Sequence, residues 1–368
     1  MKILITGSDG FVAKNLILNL SNFNNIELFK VNKKNNKTLE SKILKSDVIV
    51  HLAGTNRSKK ISEFKNNNYN YTKRIINIIE KLKINIPIIY SSTTKITDKN
   101  IYGKTKKKCE ELLADYSKKN KSSVYLLRLP NIFGKWSKPN YNSVIATFCF
   151  NILNNKKISL YDENEKINLI YIDDLIKLIT NLLFLKKHEN KFLNVKIKKV
   201  KKISLKKLRN KLLEFKSIHN SLYTPTLNNI FEKNLYSTFI SYCNANQIYS
   251  DVKLKESLNG NFIELFKNKK FGQVSVFTTP PKKIRGMHYH NSKIEKFFIV
   301  QGNASINYYN EILKKNINLN SRKLKNKILI TLPGWIHTVK NTGTNDLIII
   351  VWSNEIFNID DPDTYVRL

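Results

Sequence analysis

Apolar residues in the first part of the chain form short, nearly continuous runs separated by helical segments. Residues 2–6 are such a run and lead directly into a glycine turn, and residues 14–20 have a helical pattern. Further runs cover residues 26–31, 47–54 and 86–92. Runs without alternation are typical of parallel strands that are covered on both faces. The pattern therefore predicts an α/β fold around a parallel sheet.

Past about residue 245 the pattern changes to short runs in which apolar and polar residues alternate. Residues 272–279 and 304–309 are examples, and Gly302 and Gly334 mark turns between such runs. Short strands at this spacing predict a small, all-β antiparallel barrel. We therefore expect two domains, residues 1–245 and 246–368, and we expect residues from about 135 to 245 to contribute substrate binding to the first.

Lysine dominates the charge of the chain. The 368 residues carry a formal net charge of +36, and 41% of them are hydrophobic. The lysines are mixed with asparagine and isoleucine throughout, without a zinc finger, a leucine-zipper basic helix or an aromatic RNA-binding motif. Such a charge attracts anionic ligands and favours solubility, but it does not specify a partner. We expect no nucleic-acid binding.

Apolar stretches are too short to suggest a membrane span, which needs about 18 residues. The N-terminal run lacks the long hydrophobic segment and the cleavage site of a signal peptide. Cys109, Cys149 and Cys243 are scattered and form no CxxC pair, as is usual for thiols in a reducing compartment. These features predict a cytoplasmic protein without membrane insertion.

The glycine turn after the first strand has the spacing of a dinucleotide-binding loop. Gly7 permits a tight turn, Gly10 lets the backbone approach a pyrophosphate, and Ala13 is small enough for the helix to pack closely on the strand. Phe11 and Val12 follow Gly10 in this segment, ahead of the helix whose N-terminus would face the phosphates, and we expect both to contact the cofactor. We expect this loop to bind a nicotinamide dinucleotide.

The second strand ends at Asn32, and Lys33 and Lys34 follow it. An NAD enzyme usually has an acidic residue here, which binds the ribose 2′-hydroxyl. Lysines in its place favour a 2′-phosphate. We therefore expect NADPH as the cofactor, bound in part by Asn32 and Lys33.

Tyr102 and Lys106 lie four residues apart in a predicted helix and therefore share a face. An ammonium beside a phenol lowers the pKa of the phenol. Tyr102 is thus a candidate proton donor to a carbonyl that receives hydride. Thr93, at the end of the preceding strand, would hydrogen-bond the same oxygen, and Lys106 would also hold the nicotinamide ribose.

With these motifs, the first part of the chain resembles the extended short-chain dehydrogenases/reductases, which have a Rossmann-type fold. The resemblance implies that further residues contact or support the cofactor. These are Leu52, Ala53 and Gly54 at the end of the third strand, Asn68 on a helix, and Pro130 and Asn131 beside the nicotinamide. Residues 35–46 form a shorter segment than the one that carries the adenine-contacting Asp in the family. The residues of the adenine pocket are therefore not assigned.

The last third contains a set of metal-ligand residues. His288 and His290 alternate, so both are expected to project from one face of a strand. Glu295 follows closely, and His337 comes after a Pro-Gly turn. Neutral imidazoles with one carboxylate suit zinc, iron, manganese or nickel. We expect a divalent metal at these four residues and place zinc first.

The spacing of these ligands resembles the two motifs of the cupins, and the resemblance implies a cupin barrel. Two positions depart from the motifs: Lys282 replaces a glycine, and Leu332 replaces a proline. The ligand positions are intact. The proton base of this domain stays unassigned, because Tyr289 and Lys296 are expected to point away from the ligands.

The chain also resembles, nearly end to end, the bifunctional UDP-2-acetamido-2,6-dideoxy-hexulose (UDP-2-acetamido-2,6-β-L-arabino-hexul-4-ose) reductases of capsular-polysaccharide and O-antigen synthesis. The matching stretches are residues 128–149, 234–242, 272–276, 354–357 and 362–365. The resemblance implies that the cupin domain inverts C3 of a UDP-4-keto-6-deoxy sugar and that the reductase domain then reduces C4 with NADPH. It also implies a homodimer.

The same resemblance implies where the UDP-sugar binds. Besides Thr93, the expected substrate-binding residues are Arg57, Lys135, Lys138, Asn140 and Asn142. The last four lie in a loop that is equally well read as a solvated turn.

Two other functions stay open at this point. One is an NAD-retaining 4-epimerase or 4,6-dehydratase, although Thr94 and Lys95 replace the acid pair that a dehydratase carries after its threonine. The other is a non-catalytic nucleotide-sugar-binding protein, against which the intact Thr93, Tyr102 and Lys106 speak.

Overall fold

The computed structural model describes residues 1–98, 100–160, 162–185, 189–324 and 326–366, which fold into two compact units. The first unit comprises Met1–Glu214 and Asn229–Cys243, and the second comprises Phe215–Asn228 and Asn244–Leu368. Within the described ranges, no helix has the length and apolar character that crossing a membrane requires.

A six-stranded parallel sheet forms the centre of the first unit. The strands of this unit are β1 (Lys2–Thr6), β2 (Glu27–Val31), β3 (Val48–His51), β4 (Ile88–Thr93), β5 (Val124–Leu129), β6 (Asn131–Phe133), β7 (Lys166–Tyr171), β8 (Phe192–Asn194) and β9 (Lys201–Ser204). The large sheet has the order β2-β1-β3-β4-β5-β8, and β6, β7 and β9 form a small second sheet. All strands of the large sheet run parallel. The predicted α/β class with a Rossmann-type sheet is confirmed.

Helices follow many of these strands, and some of them cover the two faces of the large sheet. They are α1 (Phe11–Leu20), α2 (Leu39–Leu44), α3 (Ile61–Phe64), α4 (Tyr71–Lys81), α5 (Ile101–Asn120), α6 (Val144–Leu153), α7 (Ile172–Leu183), α8 (Leu205–Ile218) and α9 (Ile230–Ile240). A π-helical segment, Lys65–Asn70, joins α3 to α4. Short 3-10 helices cover Asn36–Thr38, Thr94–Thr97, Ala245–Gln247 and Ser321–Lys323.

Successive side chains of β1 enter two different apolar cores. Ile3 and Ile5 pack with α1 and α7 on one face of the sheet, whereas Leu4 packs with α4 and α5 on the other. Burying one such side chain fully contributes about 1.5–3 kcal/mol. Because both faces are covered in this way, the loops at the carboxyl ends of the strands, where ligands bind in such sheets, rest on a rigid frame.

The second unit contains two antiparallel sheets around one apolar core. Its strands are β10 (Leu254–Lys255), β11 (Phe262–Asn268), β12 (Gly272–Thr279), β13 (Ile284–Tyr289), β14 (Glu295–Gln301), β15 (Ala304–Asn310), β16 (Lys315–Asn320), β17 (Ile328–Ile330), β18 (Ile336–Asn341), β19 (Leu347–Ser353) and β20 (Tyr365–Val366). The sheet orders are β10-β11-β12-β19-β14-β17 and β16-β15-β18-β13-β20. Phe277, Phe297, Ile306, Val339 and Ile349 belong to the shared core. The predicted all-β barrel of the cupin type is confirmed.

Candidate reductase and metal sites

The loop between β1 and α1 has the geometry of a pyrophosphate site. Gly7 has a φ of +70°, and a Cβ there would lie 2.8 Å from Cα of Ala53, so only glycine fits. The amide of Gly10 donates to the carbonyl of Gly7 at 2.9 Å, and α1 begins directly afterwards at Phe11, with Val12 next. The free amides at the N-terminus of α1 therefore lie at the carboxyl end of β1, as binding a diphosphate requires.

The residues expected at the adenosine ribose form a tight turn after β2. The amide of Asn32 donates to Oδ1 of Asn35 at 2.7 Å, and its side chain donates to Oδ1 of Asp9 at 3.2 Å. Lys33 and Lys34 are exposed beside this turn. Two free ammonium groups next to the dinucleotide loop are suited to an anionic group such as a 2′-phosphate.

Asn68 supports the loop after β3 from inside the protein. It lies in the π-helical segment and is 1% exposed. Its Oδ1 accepts from the amide of Thr55 at 2.7 Å, and its Nδ2 donates to the carbonyl of Thr55 at 3.0 Å. Both backbone groups of Thr55 are thereby satisfied, and Gly54 is held against the amide oxygen of Asn68. Leu52 and Ala53 precede this clamp, and the amide of Ala53 donates to the hydroxyl of Thr6 at 3.2 Å.

Thr93, Tyr102 and Lys106 come together at the carboxyl end of β4. Thr93 is the last residue of β4, and its side chain hydrogen-bonds Tyr102 near the start of α5. The amide oxygen of Asn100 accepts from the amide of Gly103 at 2.8 Å and so caps α5. Lys106, one turn further along α5, is 4% exposed. A carbonyl placed against Thr93 and Tyr102 could accept hydrogen bonds from both hydroxyls.

The pKa of Tyr102 is raised, whereas we expected Lys106 to lower it. Burial raises it, and although the hydrogen bond with Thr93 lowers it, the net direction is upward. The expected lowering by Lys106 is wrong for the protein alone, because the ammonium of Lys106 donates to other partners: the hydroxyl of Tyr90 at 2.9 Å and the carbonyl of Ser91 at 2.6 Å. Burial also lowers the pKa of Lys106 to about 8. Tyr102 therefore keeps its proton at neutral pH, as a proton donor must.

Two polar groups near this site were not expected from the sequence. The first is Tyr90, which is fully buried two residues before Ser92 on β4. The second is an ion pair between Glu110 on α5 and Arg128 on β5, 2.6 Å apart, to which the hydroxyl of Ser92 also donates. The only local signal is that Tyr90, Ser92 and Glu110 interrupt otherwise apolar core positions.

A further set of hydrogen bonds, centred on His51, lies in the large sheet next to the loop between β1 and α1. Nδ1 of His51 lies 2.7 Å from the hydroxyl of Thr6, and Nε2 lies 3.0 Å from the hydroxyl of Thr72. Burial, with Lys106 nearby, lowers the pKa of His51 to about 3, so the ring is neutral. This neutral chain ties β1, β3 and α4 together beneath Ala53.

The predicted substrate residues are distributed over one loop and its neighbours. Arg57 donates to the carbonyl of Tyr141 in the 135–142 loop, and the hydroxyl of Tyr141 donates back to the carbonyl of Arg57 at 3.4 Å. The ammonium of Lys135 pairs with Asp173 at 2.8 Å. Of the other expected substrate residues, Lys138 is exposed with its ammonium 5.9 Å from the ring of Tyr141, and Asn140 and Asn142 are exposed. Two residues that were expected beside the nicotinamide precede this loop: Asn131 begins β6, and Pro130 comes directly before it.

The four predicted metal ligands form one cluster in the second unit. The ligand atoms of His288, His290, Glu295 and His337 all lie within 4.8 Å of one another. Oε2 of Glu295 is 3.4 Å from Nε2 of His290 and 3.7 Å from Nε2 of His337. Ligands about 2.0–2.1 Å from a tetrahedral ion lie roughly 3.4 Å apart. The spacing therefore fits a divalent cation.

A β-bulge brings two of these histidines side by side. The register between β13 and β18 shifts between Gly286 and His288, and His288 then pairs with His337. Gly286 has a φ of +95°, and a Cβ there would lie 2.4 Å from the carbonyl oxygen of His337. His290 lies one residue beyond β13, and not on the strand as expected, yet its ring centroid is 4.9 Å from that of His288.

The charge states of the cluster suit metal binding. Burial, together with His337 and His290, lowers the pKa of His288 to about 4, so its ring is neutral. Burial raises the pKa of Glu295, but its interactions with the nearby rings of His290 and His337 outweigh burial and hold the pKa well below its usual range. The buried Nε2 of His290 has no hydrogen-bond partner, as expected of an atom reserved for a cation. The residues therefore fit the metal.

The cluster opens into a cavity of about 280 Å³ inside the barrel. Besides the ligands, charged and aromatic side chains line it, among them Lys255, Glu264, Phe277, Arg285, Lys293, Glu355 and Phe357. The guanidinium of Arg285 donates to the carbonyls of Asn261 and Thr278 and lies 5.2 Å from the ring of Phe277. The cavity thus combines a cation site with groups that can bind a polar ligand.

Two families match the two parts of the chain. Residues 3–195 match the NAD dependent epimerase/dehydratase family, and residues 255–365 match the polysaccharide biosynthesis C-terminal domain. Over 369 residues the chain is 35% identical to a Pseudomonas aeruginosa protein named UDP-2-acetamido-2,6-beta-L-arabino-hexul-4-ose reductase. This similarity covers 99% of this chain and 98% of that protein.

Solved structures agree in fold. The capsular polysaccharide assembling protein CapF from Staphylococcus aureus is 36% identical, with a TM-score of 0.89 over 100% of this chain and 99% of that one. UDP-glucuronic acid 4-epimerase from Bacillus cereus in complex with NAD is 18% identical, with a TM-score of 0.56 over 66% of this chain and 98% of that one. The second similarity is one of fold alone and extends over about two thirds of this chain.

Proposed function

The chain belongs to the NAD dependent epimerase/dehydratase family, and on that premise we propose that it is a bifunctional enzyme acting on a UDP-4-keto-6-deoxy sugar. The second unit inverts C3 of UDP-2-acetamido-2,6-dideoxy-hexos-4-ulose. The first unit then reduces C4 with NADPH. The product is UDP-2-acetamido-2,6-dideoxy-β-L-talose, on the route to UDP-N-acetyl-L-fucosamine. The coarser activity, nicotinamide-dependent reduction of a UDP-sugar keto group, is supported by the relative that is 35% identical over 99% of this chain and is named as a reductase of such a sugar.

In the reductase step, NADPH supplies the hydride that is transferred to C4. Thr93 and Tyr102 bind the C4 oxygen through their hydroxyls, and Tyr102 donates the proton as negative charge develops there. Lys106 holds the ribose of the cofactor, and its positive charge stabilises the tyrosinate that remains. The raised pKa of Tyr102 keeps the donor protonated until the carbonyl binds.

The cofactor-binding residues act mainly through the backbone. Gly7, Gly10, Phe11 and Val12 present the N-terminus of α1 to the pyrophosphate. Lys33, with Asn32, binds the 2′-phosphate that distinguishes NADPH from NADH. Asn68 holds the 54–55 backbone in place against the nicotinamide half. The remaining proposed contacts are Leu52, Ala53, Pro130 and Asn131.

In the epimerase step, the 4-keto group acidifies the hydrogen on C3, because the anion formed is an enolate. A divalent metal, when bound by His288, His290, Glu295 and His337, supplies Lewis-acid stabilisation of negative charge on oxygen. Phe277 and Phe297, which belong to the barrel core, give this cavity an apolar wall on one side. Zinc is the metal that we place first.

Substrate binding in the first unit is assigned to Arg57 and the 135–142 loop. The mutual hydrogen bonds of Arg57 and Tyr141 hold this loop near the carboxyl end of β3. Lys138, Asn140 and Asn142 are exposed there and are available to a diphosphate, while Lys135 is shared with Asp173. We extend the proposal to a cytoplasmic homodimer with domains at residues 1–245 and 246–368.

The observation that carries the proposal is one chain bearing two complete sites: the Thr93–Tyr102–Lys106 group and the metal-ligand cluster. An NAD-retaining epimerase needs only trace cofactor, whereas a reductase consumes NADPH in equal amount to its substrate. The test is to mix the protein with the UDP-4-keto-6-deoxy sugar and limiting NADPH, and to follow absorbance and product. One NADPH oxidised per sugar reduced supports the proposal, and turnover without net oxidation contradicts it.

A further inference from the structure

Residues 362–364, near the end of the described chain, hydrogen-bond the loop between the metal ligands His290 and Glu295. Residues 291–293 lie between His290 and Glu295, and Asp363 lies against them. Its Oδ1 accepts from the amide of Asn291 at 2.9 Å. Its Oδ2 accepts from the amides of Ser292 at 2.8 Å and Lys293 at 2.7 Å, and from the hydroxyl of Ser292 at 3.0 Å. One carboxylate thus receives four hydrogen bonds from three consecutive residues.

The backbone of the same residue contacts the metal ligand itself. Nδ1 of His290 lies 2.6 Å from the carbonyl oxygen of Asp363. A carbonyl can only accept, so Nδ1 carries the proton, and Nε2 is left with its lone pair toward Glu295. Among the described residues of the cluster, Nε2 of His290 is a buried ring nitrogen without a hydrogen-bond partner, as is Nδ1 of His337. The contact therefore sets the tautomer of His290 that a cation requires.

Further bonds fix the segment in place on both sides of Asp363. The ammonium of Lys293 donates to the carbonyl of Pro362 at 2.6 Å and to the hydroxyl of Thr364 at 2.7 Å. Lys293 is 6% exposed, so these bonds form away from water. Next in the chain, β20 pairs with β13 through Val366 and His288. Both strand pairing and side chains thus tie residues 362–366 to the two histidines.

We propose that Asp363 is a positioning residue for the metal site: it orients His290 through its carbonyl and shapes the 291–293 loop through its carboxylate. The inference rests on metal binding by the cluster, which is part of the proposed function. Asp363 is not among the residues that line the cavity. Its backbone has a φ of +39°, a conformation that an aspartate adopts more readily than most residues.

The test compares cobalt(II) binding by the full chain after removal of its metal, because the d–d absorption of cobalt reports the ligand geometry. Asp363→Ala removes all four side-chain acceptor bonds, whereas Asp363→Asn keeps an acceptor oxygen and tolerates the same backbone conformation. Asp361→Ala is the control, because Asp361 is an exposed carboxylate two residues away. Circular dichroism of the metal-free proteins monitors the barrel.

Outer-shell partners of metal ligands typically contribute 10–100-fold to affinity. We expect Asp363→Ala to weaken cobalt binding by roughly that factor and to change the d–d spectrum, with Asp363→Asn intermediate and Asp361→Ala within about twofold of the parent. If circular dichroism shows that the Asp363→Ala barrel is unfolded, the cobalt affinity and spectrum of the folded Asp363→Asn variant test the inference instead. Parental affinity and spectrum in the folded variants overturn the inference. Failure of the parent to bind cobalt instead removes the metal half of the proposed function.

Discussion

The ammonium of Lys106 donates a 2.9 Å hydrogen bond to the hydroxyl of Tyr90, and both groups are buried. Tyr90 belongs to β4 and Lys106 to α5, so the sheet holds the lysine that is assigned to the cofactor ribose. The carbonyl of Ser91 accepts a second bond from the same ammonium. Two acceptors on one strand therefore keep a charged group in place beneath Tyr102.

Replacing Tyr90 with Phe preserves the ring and removes one of these acceptors. A hydrogen bond to a charged group is worth about 1.5–3 kcal/mol, and part of this is lost when Lys106 moves. We expect kcat for NADPH oxidation to fall about tenfold, with a smaller change in KM for the sugar. Tyr116→Phe is the control, because Tyr116 is as deeply buried but bonds Ile86 and Ser122 instead. Equal kcat values in the two variants would contradict this role.

The pH profile of the reductase should show the titration of Lys106. Its pKa is lowered by burial to about 8, so the positive charge is complete below that pH and disappears as the pH rises through it. We expect kcat/KM to be level near neutrality and to fall about tenfold per pH unit above 8. In Tyr90→Phe the descending limb should move to lower pH, since one bond to the charged form is gone. Initial rates across pH 6–10 measure the descending limb in the parent and in Tyr90→Phe.

Glu110 should contribute to the stability of the first unit. Its side chain is 7% exposed and accepts from Arg128 and Ser92, so Glu110→Gln leaves the guanidinium without a charged partner. Because the side chain of Arg128 is 39% exposed, water compensates part of the loss, and we expect a decrease of about 2 kcal/mol in the free energy of unfolding. Glu80→Gln, which breaks a surface pair with Lys119, should cost less than about 1 kcal/mol. Urea denaturation distinguishes the two.

His288→Ala should remove the metal without disturbing the cofactor site. The variant loses one of three imidazoles, and we expect metal content after dialysis to fall to a small fraction of the parent while NADPH still binds. Tyr289→Phe is the control, because Tyr289 stacks on Tyr365 and points away from the cluster. Elemental analysis measures the metal, and fluorescence measures NADPH. A His288→Ala protein that keeps a full equivalent of metal would contradict the ligand assignment.

Local pattern predicted much of this structure because the relevant signals were local. β1 and β12 have the predicted bounds, since each is an apolar or alternating run that ends at a glycine or proline turn. The strand-turn-helix at Gly7 and the spacing of the four metal ligands likewise depend on neighbours in sequence. The structure has the strand-turn-helix at Gly7, and in the second unit the ligand atoms of the four metal-ligand residues lie within 4.8 Å of one another.

Long-range contacts explain what the sequence did not reveal. The partners of Lys106 lie on β4, 15 and 16 residues away, and burial in the folded protein raises the pKa of Tyr102. Asp363 reaches His290 across 73 residues. A bulge between Gly286 and His288 pairs His288 with His337, and His290 lies one residue beyond the end of β13. None of these contacts follows from spacing or composition.

The central claim is that the two sites act in turn on one sugar. The most direct measurement is product NMR after incubation with NADPH and the UDP-4-keto-6-deoxy sugar in D2O. C3 should carry solvent deuterium and C4 should carry protium from NADPH. In Tyr102→Phe the C4 reduction should fall by about 10²–10⁴-fold while deuterium still enters C3. A reduced product with protium at C3 would contradict the account.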